Sequence, residues 1–391
     1  MNFRPDAPSL PFVAMCESDT HAAMIEALVN EAKVQIDHVV ATNRFDPLSS
    51  LVPVTLLDLP NDTSPATAWK AAQQSVSLLL SDRRLLQFQD QGWLAQAVSM
   101  AARSAGAHRT LLQDGFLSFD MQRSLGLRRW LWPLTSRLDR LAPHTPRPRL
   151  RTRLNGLLYR HHTFGITRPD RALVFGEAMR SRLINQWGLD PDQVEVTGPL
   201  LRPDRLADDY RPPATDRPLR VLFLDQCFLR YRRMSRKDWQ NRYLPLIGAL
   251  SQYELSVKLH PSQTEADAAE VTDAAGEDAA VIGRERLSDA GINLDVDVAV
   301  TVSSTAFVNC LAAGIPVIFC ESGALDVMPE LHHPLVRNCA FPRETVAALE
   351  RFRQSGKFPA NAHGESLNHH IAMTPRRTVT AALTHASTAT L

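Results

Sequence analysis

Three short stretches put reactive side chains where an apolar run ends. Gln113-Asp114-Gly115 follows TLL, His260-Pro261 follows LSVKL, and Ser303-Ser304-Thr305 joins VDVAVTV to AFVNCLAAG. A carboxylate such as Asp114 can act as general base on a hydroxyl, and an imidazole such as His260 can stabilise or protonate a departing anion. Ser and Thr oxygens accept from the orphan N–H groups of a helix start, and the same N–H groups suit a phosphate. Each stretch has an ordinary alternative. Asp-Gly is a common turn pair, the chain has 13 histidines, and a lone Ser before a helix is only a cap. Three consecutive hydroxyls exceed what a cap uses. A weaker fourth stretch, Asp225-Gln226-Cys227, follows RVLFL.

The elements that carry these stretches alternate between short aliphatic runs and helical patterns. LPFVAM, QIDHVVA, VPVTLL, HRTLL, ALVFG and VEVTG read as strands, with helices at THAAMIEALVNEA, WLAQAVSMAARSAG and EAMRSRLINQWG, the last ending at Gly188. After a proline-rich, charged linker from Arg202 to Pro218 the alternation restarts. RVLFLD, LSVKLHP, AAVIG, VDVAVTV and IPVIFC are strands there. DWQNRYLPLIGALSQ, Glu265 to Gly276, TAFVNCLAAG, ETVAALERFRQSG and TVTAALTHA are helices. Such alternation predicts βαβ units and parallel sheets. The expected fold is α/β, with two Rossmann-like doubly wound domains facing a cleft. The first spans residues 1–210, with a basic helical insertion at about 120–165, and the second spans 218–391. Ligands of such sheets bind at the carboxyl ends of the strands, where all the stretches above fall.

Composition narrows the class. A chain of 391 residues with 44% hydrophobic and 22% charged residues can bury a core in each of two domains. The formal net charge of +1 provides no global field toward nucleic acid. Five cysteines without CxxC spacing read as buried, reduced thiols rather than a disulfide framework or zinc site. No signal peptide and no membrane-spanning run is evident, so a cytoplasmic protein, soluble or peripheral, is expected. The acidic pair Asp295 and Asp297 precedes an apolar strand and reads as solvated, so no metal site is expected.

In order and placement the motifs resemble those of bacterial GT-B glycosyltransferases that use CMP-activated sugars: sialyltransferases, polysialyltransferases and capsule Kdo transferases. These carry an acidic (D/E)DG motif, then HP, then Ser-Ser or Ser-Ser-Thr. QDGFLS is also similar to the EDGFLRS segment of the Kdo enzymes. The resemblance covers about residues 11 to 345, with motifs of two or three residues each. It implies an inverting, metal-independent transfer of an acidic sugar, sialic acid or Kdo-like, from a CMP-sugar to a cell-surface glycan, with no cofactor. Asp114 would be the base and His260 would stabilise or protonate the departing phosphate. His260, Pro261, Ser303, Ser304 and Thr305 would hold the nucleotide, with Asp225 and Gln226 nearby. Two departures stand out: Gln113 replaces the first acid of the motif, and Asn309 stands where many sugar-nucleotide enzymes have Glu. Other GT-B chemistry remains an alternative, either glycerophosphate transfer from CDP-glycerol or transfer from a UDP-sugar. So does a noncatalytic binder of anionic glycan or lipid.

One further segment, from Leu127 to Arg160, is rich in Arg, contains two Trp and has Asp139 as its only acid. It reads either as a solvated helical face or as a surface for an anionic partner, with membrane lipid or an acidic glycan contacting Arg128 to Arg153. No nucleic-acid recognition fold accompanies it.

Overall fold

The computed structural model describes residues 10–42, 45–57, 65–90, 93–115, 164–165, 167–201, 206–210, 212–214, 216–229, 234–283, 295–320, 330–340, 342–373 and 376–384. The Arg128–Arg153 surface therefore lies outside the described residues.

The chain forms two compact units. Of the described residues, 10–114, 164–201 and 370–384 belong to the first, and Gly115 with 206–369 to the second. In the first unit the strands are β1 (Phe12–Cys16), β2 (Ile36–Ala41), β3 (Val54–Leu56), β4 (Arg84–Gln87), β5 (Arg109–Leu112), β6 (Arg171–Val174) and β7 (Val194–Val196). They pair in parallel in the order β3-β2-β1-β4-β5-β6-β7. The helices are α1 (Asp19–Asn30), the short α2 (Asp46–Ser49), α3 (Pro65–Val76), α4 (Trp93–Ser104) and α5 (Glu177–Arg182). A π turn, Leu183–Trp187, extends α5 to Gly188, whose φ of 64° suits glycine at a helix end.

Both faces of this sheet are covered, which is why its strands read as continuous apolar runs. On β1, Phe12, Ala14 and Cys16 pack with Ile25 and Leu28 of α1, whereas Val13 and Met15 pack with Ala72 and Val76 of α3 and Val98 of α4. Neither α3 nor β4 is among the elements read from the sequence. RLLQ is four residues long and follows the charged turn SDR, so its pattern is too short to separate from a loop.

The second unit repeats the design. Its strands are β8 (Arg220–Leu224), β9 (Glu254–Lys258), β10 (Ala280–Ile282), β11 (Val298–Thr301), β12 (Val317–Cys320) and β14 (Val336–Cys339), in the order β10-β9-β8-β11-β12-β14. All these pairs are parallel. A small separate ladder joins β13 (Leu331–His332) to β15 (Glu365–Ser366). A helical stretch from Arg236 runs through a π turn, Trp239–Tyr243, into α6 (Leu244–Leu250). It is followed by α7 (Glu265–Ala275), α8 (Phe307–Ala312) and α9 (Arg343–Ser355).

Two expectations need correction. The sequence assigns residues 218–391 to one domain, but α10 (Leu367–His370) ends at the boundary residue His370, and α11 (Arg376–Thr384) packs on the first unit. Val379, Ala382 and Leu383 join Phe12 and Leu28 in its core. Arg84, whose guanidinium lies 3.9 Å over the Phe12 ring, donates to the Leu383 carbonyl at 3.1 Å. Nor is Asp297 solvated. It is 8% exposed, accepts both Arg217 nitrogens at 2.7 and 2.8 Å, and accepts the Arg220 backbone N–H at 2.9 Å. A carboxylate spent this way fixes the entry to β8. Asp295 pairs with Arg220 at the surface. All five cysteines are buried and unbonded to one another, as expected of reduced thiols. Among the described residues no helix is long and apolar enough to cross a membrane.

Candidate functional site

In the first unit Asp114 lies two residues beyond the end of β5. The preceding Gln113 is fully buried, and its Oε1 accepts the Phe175 N–H at 2.9 Å, tying the end of β5 to that of β6. The amide oxygen of Gln113 supplies the acceptor for that bond. The Asp114 side chain is 28% exposed. One of its oxygens, Oδ2, meets His21 Nε2 at 3.0 Å.

His21 was not among the residues singled out in the sequence. It occupies the first turn of α1, where the cap Ser18 accepts the His21 N–H at 3.2 Å. Strand β4 separates β1 from β5, so the helix after β1 and the loop after β5 issue from the same edge of the sheet. The other ring nitrogen, Nδ1, accepts the Glu17 backbone N–H at 3.2 Å. Glu17 itself accepts Gln89 Nε2 at 2.9 Å. Burial pushes its carboxyl up, against the opposing influence of His21 and Gln89.

In the second unit His260 and Pro261 follow β9 directly, and the ring is held from one side. Nδ1 accepts the Ser262 N–H at 3.1 Å and stands 3.1 Å from the Cys227 thiol. With Nδ1 engaged as an acceptor, the proton of the neutral ring sits on Nε2. The His260 backbone N–H donates to Asp225 Oδ2 at 3.3 Å, and Tyr243 O–H donates to Asp225 Oδ1 at 2.8 Å. Tyr243 in turn accepts the Gln226 N–H at 3.0 Å. Asp225 is thus buried among protein partners, and Gln226, 5% exposed, donates to the Asp225 carbonyl. Both support the His260 turn. Lys258, also buried, donates Nζ to the carbonyls of Leu259 and Gly283 at 2.8 and 2.6 Å. Tyr243 and Lys258 were missed in the sequence. The signal for Lys258 is a lone cation inside LSVKL; nothing local marks Tyr243.

None of the three hydroxyls caps α8. The cap is Ala306, with no side-chain bond. Instead Ser304 Oγ accepts the Ala306 N–H at 3.3 Å, and Thr301 Oγ1 accepts the Ser304 N–H at 3.0 Å. Among the described residues, Ser303 Oγ is buried without a hydrogen-bond partner, and Thr305 is half-buried. The Ser-Ser-Thr turn leaves β11 and the His-Pro turn leaves β9; both strands flank β8. The two turns therefore share the carboxyl edge of one sheet. Among the described residues no three His, Cys, Asp or Glu side chains converge as a metal ligand set.

Burial raises the Asp225 carboxyl to about 6, despite the opposing bonds from Tyr243 and the backbone of His260 and Gln226. Asp90, buried and holding the N–H groups of Gly165 and Thr167, is raised to about 6 in the same way. A raised native value means that the folded state binds more protons than the unfolded chain between about pH 4 and 6. Stability should therefore fall as pH rises through that window, by up to about 3 kcal/mol for a two-unit shift of one group. Carboxylates with lowered values, such as Asp170, act in the opposite sense at lower pH. Asp225→Asn should flatten the slope of melting temperature against pH between 4 and 6. An unchanged slope would mean that Asp225 carries no such penalty.

No family model and no curated protein sequence matches the chain. Solved structures do. A protein assigned as a UDP-N-acetylglucosamine 2-epimerase from Listeria monocytogenes is similar at a TM-score of 0.52 and 13% identity, with 88% of each chain covered. A glycosyltransferase from Rickettsia africae gives 0.50 and 9% identity over 96% of this chain and 93% of its own. WaaG, a glycosyltransferase involved in lipopolysaccharide biosynthesis, gives 0.50 and 12% identity over 96% of this chain and 100% of its own. With two Rossmann-like parallel sheets in one chain, the fold is that of the GT-B class, as the sequence predicts.

Proposed function

We propose that the protein is an inverting glycosyltransferase that takes a CMP-activated acidic sugar, sialic acid or Kdo-like, and passes it to a glycan hydroxyl. The observation that supports it is where the motifs stand. Asp114 follows β5, His260 follows β9 and Ser303–Thr305 follow β11, each at the carboxyl end of a parallel strand, where such sheets bind ligands. Displacement at an anomeric carbon with inversion needs a base on the incoming oxygen and charge stabilisation on the opposite face of the ring. The first unit offers a carboxylate in partial contact with solvent. The second offers an imidazole whose Nδ1 is committed, so that Nε2–H is the donor, and a neighbouring turn rich in hydroxyls. On this reading His260 and the hydroxyls take the CMP phosphate, and Asp225 and Tyr243 hold the His260 turn in place. The chemistry is written without a metal. The motif order carries the preference for CMP-sugars.

Thermal denaturation with CMP, CDP, UMP and UDP tests the reading. Stabilisation selective for CMP supports it. Selectivity for CDP points to CDP-glycerol chemistry, selectivity for UDP points to a UDP-sugar enzyme, and no response to any nucleotide points to a noncatalytic binder. Ser303 adds a sharper arm. Its hydroxyl has no partner among the described residues to strand, so Ser303→Ala should keep or raise the melting temperature. Loss of a hydrogen bond to a charged phosphate should still weaken CMP binding, by about 10-fold or more. Unchanged CMP affinity would remove Ser303 from the phosphate site.

A further inference from the structure

His21 is 1% exposed, and both of its ring nitrogens are engaged. Nδ1 accepts the Glu17 N–H, so the proton of the neutral ring is on Nε2 and is donated to Asp114 Oδ2 at 3.0 Å. The ring lies against Phe88, with centroids 5.2 Å apart and planes at 33°. Its backbone N–H is bonded to the Ser18 cap. Ring and donor are therefore fixed before any ligand arrives. Among the described residues, Asp114 Oδ1 carries no hydrogen bond.

We infer that His21 is the positioning residue for Asp114: it clamps one carboxylate oxygen so that the other is presented to the acceptor hydroxyl. The inference rests on the proposed transfer. In that step the acceptor O–H bond breaks and its proton passes to Asp114 Oδ1. The acceptor oxygen bonds to the anomeric carbon, and the bond from that carbon to the CMP phosphate oxygen breaks, its electron pair leaving with CMP. Asp114 ends as a carboxylic acid that still accepts from His21, and later releases its proton to water. Fixing a carboxylate rotor in advance removes orientational freedom that would otherwise be lost at the barrier. The reverse assignment, with His21 as base and Asp114 behind it, needs a ring nitrogen open to substrate. Neither is open here. The other ionisable group facing the ring is the Glu17 carboxyl, which is held by Gln89.

The test compares His21→Leu with His21→Gln, whose amide N–H can reach the region of Nε2. CMP release from CMP-N-acetylneuraminic acid is followed with lactose and with water as acceptor, alongside melting temperatures. His21→Leu should lower kcat by about 30- to 100-fold, with the donor KM within about twofold. His21→Gln should recover most of the loss. If His21→Leu changes the melting temperature but not kcat, the clamp has no catalytic role. If both variants are inactive while Asp114→Asn still transfers, the ring is the base. If the wild type releases no CMP, the proposed function fails, and ¹⁵N NMR of the His21 ring still decides the clamp. A ring protonated on Nε2 alone upholds it, and one protonated on Nδ1 overturns it.

Discussion

Asp114→Asn lowers sugar transfer by about 10³-fold and leaves CMP binding as it was; this is the expected result with the largest effect. The exchange keeps shape and hydrogen-bond reach. The new amide oxygen can still accept from His21 Nε2–H, so α1, Ser18 and the end of β5 keep their contacts. What is lost is the ability to take a proton from the acceptor, because an amide oxygen is far too weak a base. The side chain is partly solvated and, among the described residues, pairs with the His21 ring alone, so the exchange strands no described partner and folding should be unaffected. CMP-induced thermal shifts and CMP release with an acceptor measure the two halves separately. Transfer at the wild-type rate would remove Asp114 from the base role. Loss of CMP stabilisation along with transfer would show that Asp114 acts on the donor instead.

How much of this was legible in sequence follows from how far each signal reaches along the chain. β8, β11 and β12 are buried on both faces and read as unbroken apolar runs. The α7 boundaries fall where Thr264 and Gly276 put them, because the cap and the terminating glycine act locally. The partners of Asp114 and Asp297 were not legible. Asp114 meets a residue 93 positions away, and Asp297 one 80 positions away. No local rule distinguishes Asp297, locked on Arg217, from Asp295, solvated two residues before it. The unread strand β4 had the largest consequence: without it β1 and β5 have no common neighbour, and His21 has no reason to be near Asp114. The C-terminal helix failed for a related reason. Its apolar stripe says that it packs, and only the Arg84 and Phe12 contacts say on which unit. The hydroxyl triplet was legible by type, but its local bonding was not. A Ser or Thr before a helix is ordinarily its cap, whereas this turn uses Thr301 and Ser304 for its own N–H groups and, among the described residues, leaves Ser303 Oγ without a partner.

His260→Ala should cost about 10- to 150-fold in CMP affinity, the range of a hydrogen bond to a charged group, and at least as much in transfer. The reason lies on the far side of the ring. Ser262 N–H and the Cys227 thiol both address Nδ1, so protonating that nitrogen would set its N–H against the Ser262 N–H. The ring is thereby kept as a neutral Nε2–H donor, which suits an interaction that strengthens as negative charge grows on the departing phosphate. A general acid would instead have to surrender the Nε2 proton and leave an imidazolate, which is far less favourable than sharing it. His260→Gln separates the two roles: its amide N–H can donate but cannot supply a proton. Recovery of CMP affinity and most of the transfer rate in His260→Gln fits donation. Recovery of affinity without transfer would mean that proton delivery matters and that the Ser262 bond breaks during turnover. CMP binding equal to wild type in His260→Ala would detach His260 from the leaving group altogether. The Asp225–Tyr243 support would then serve only the fold of the turn between β9 and α7.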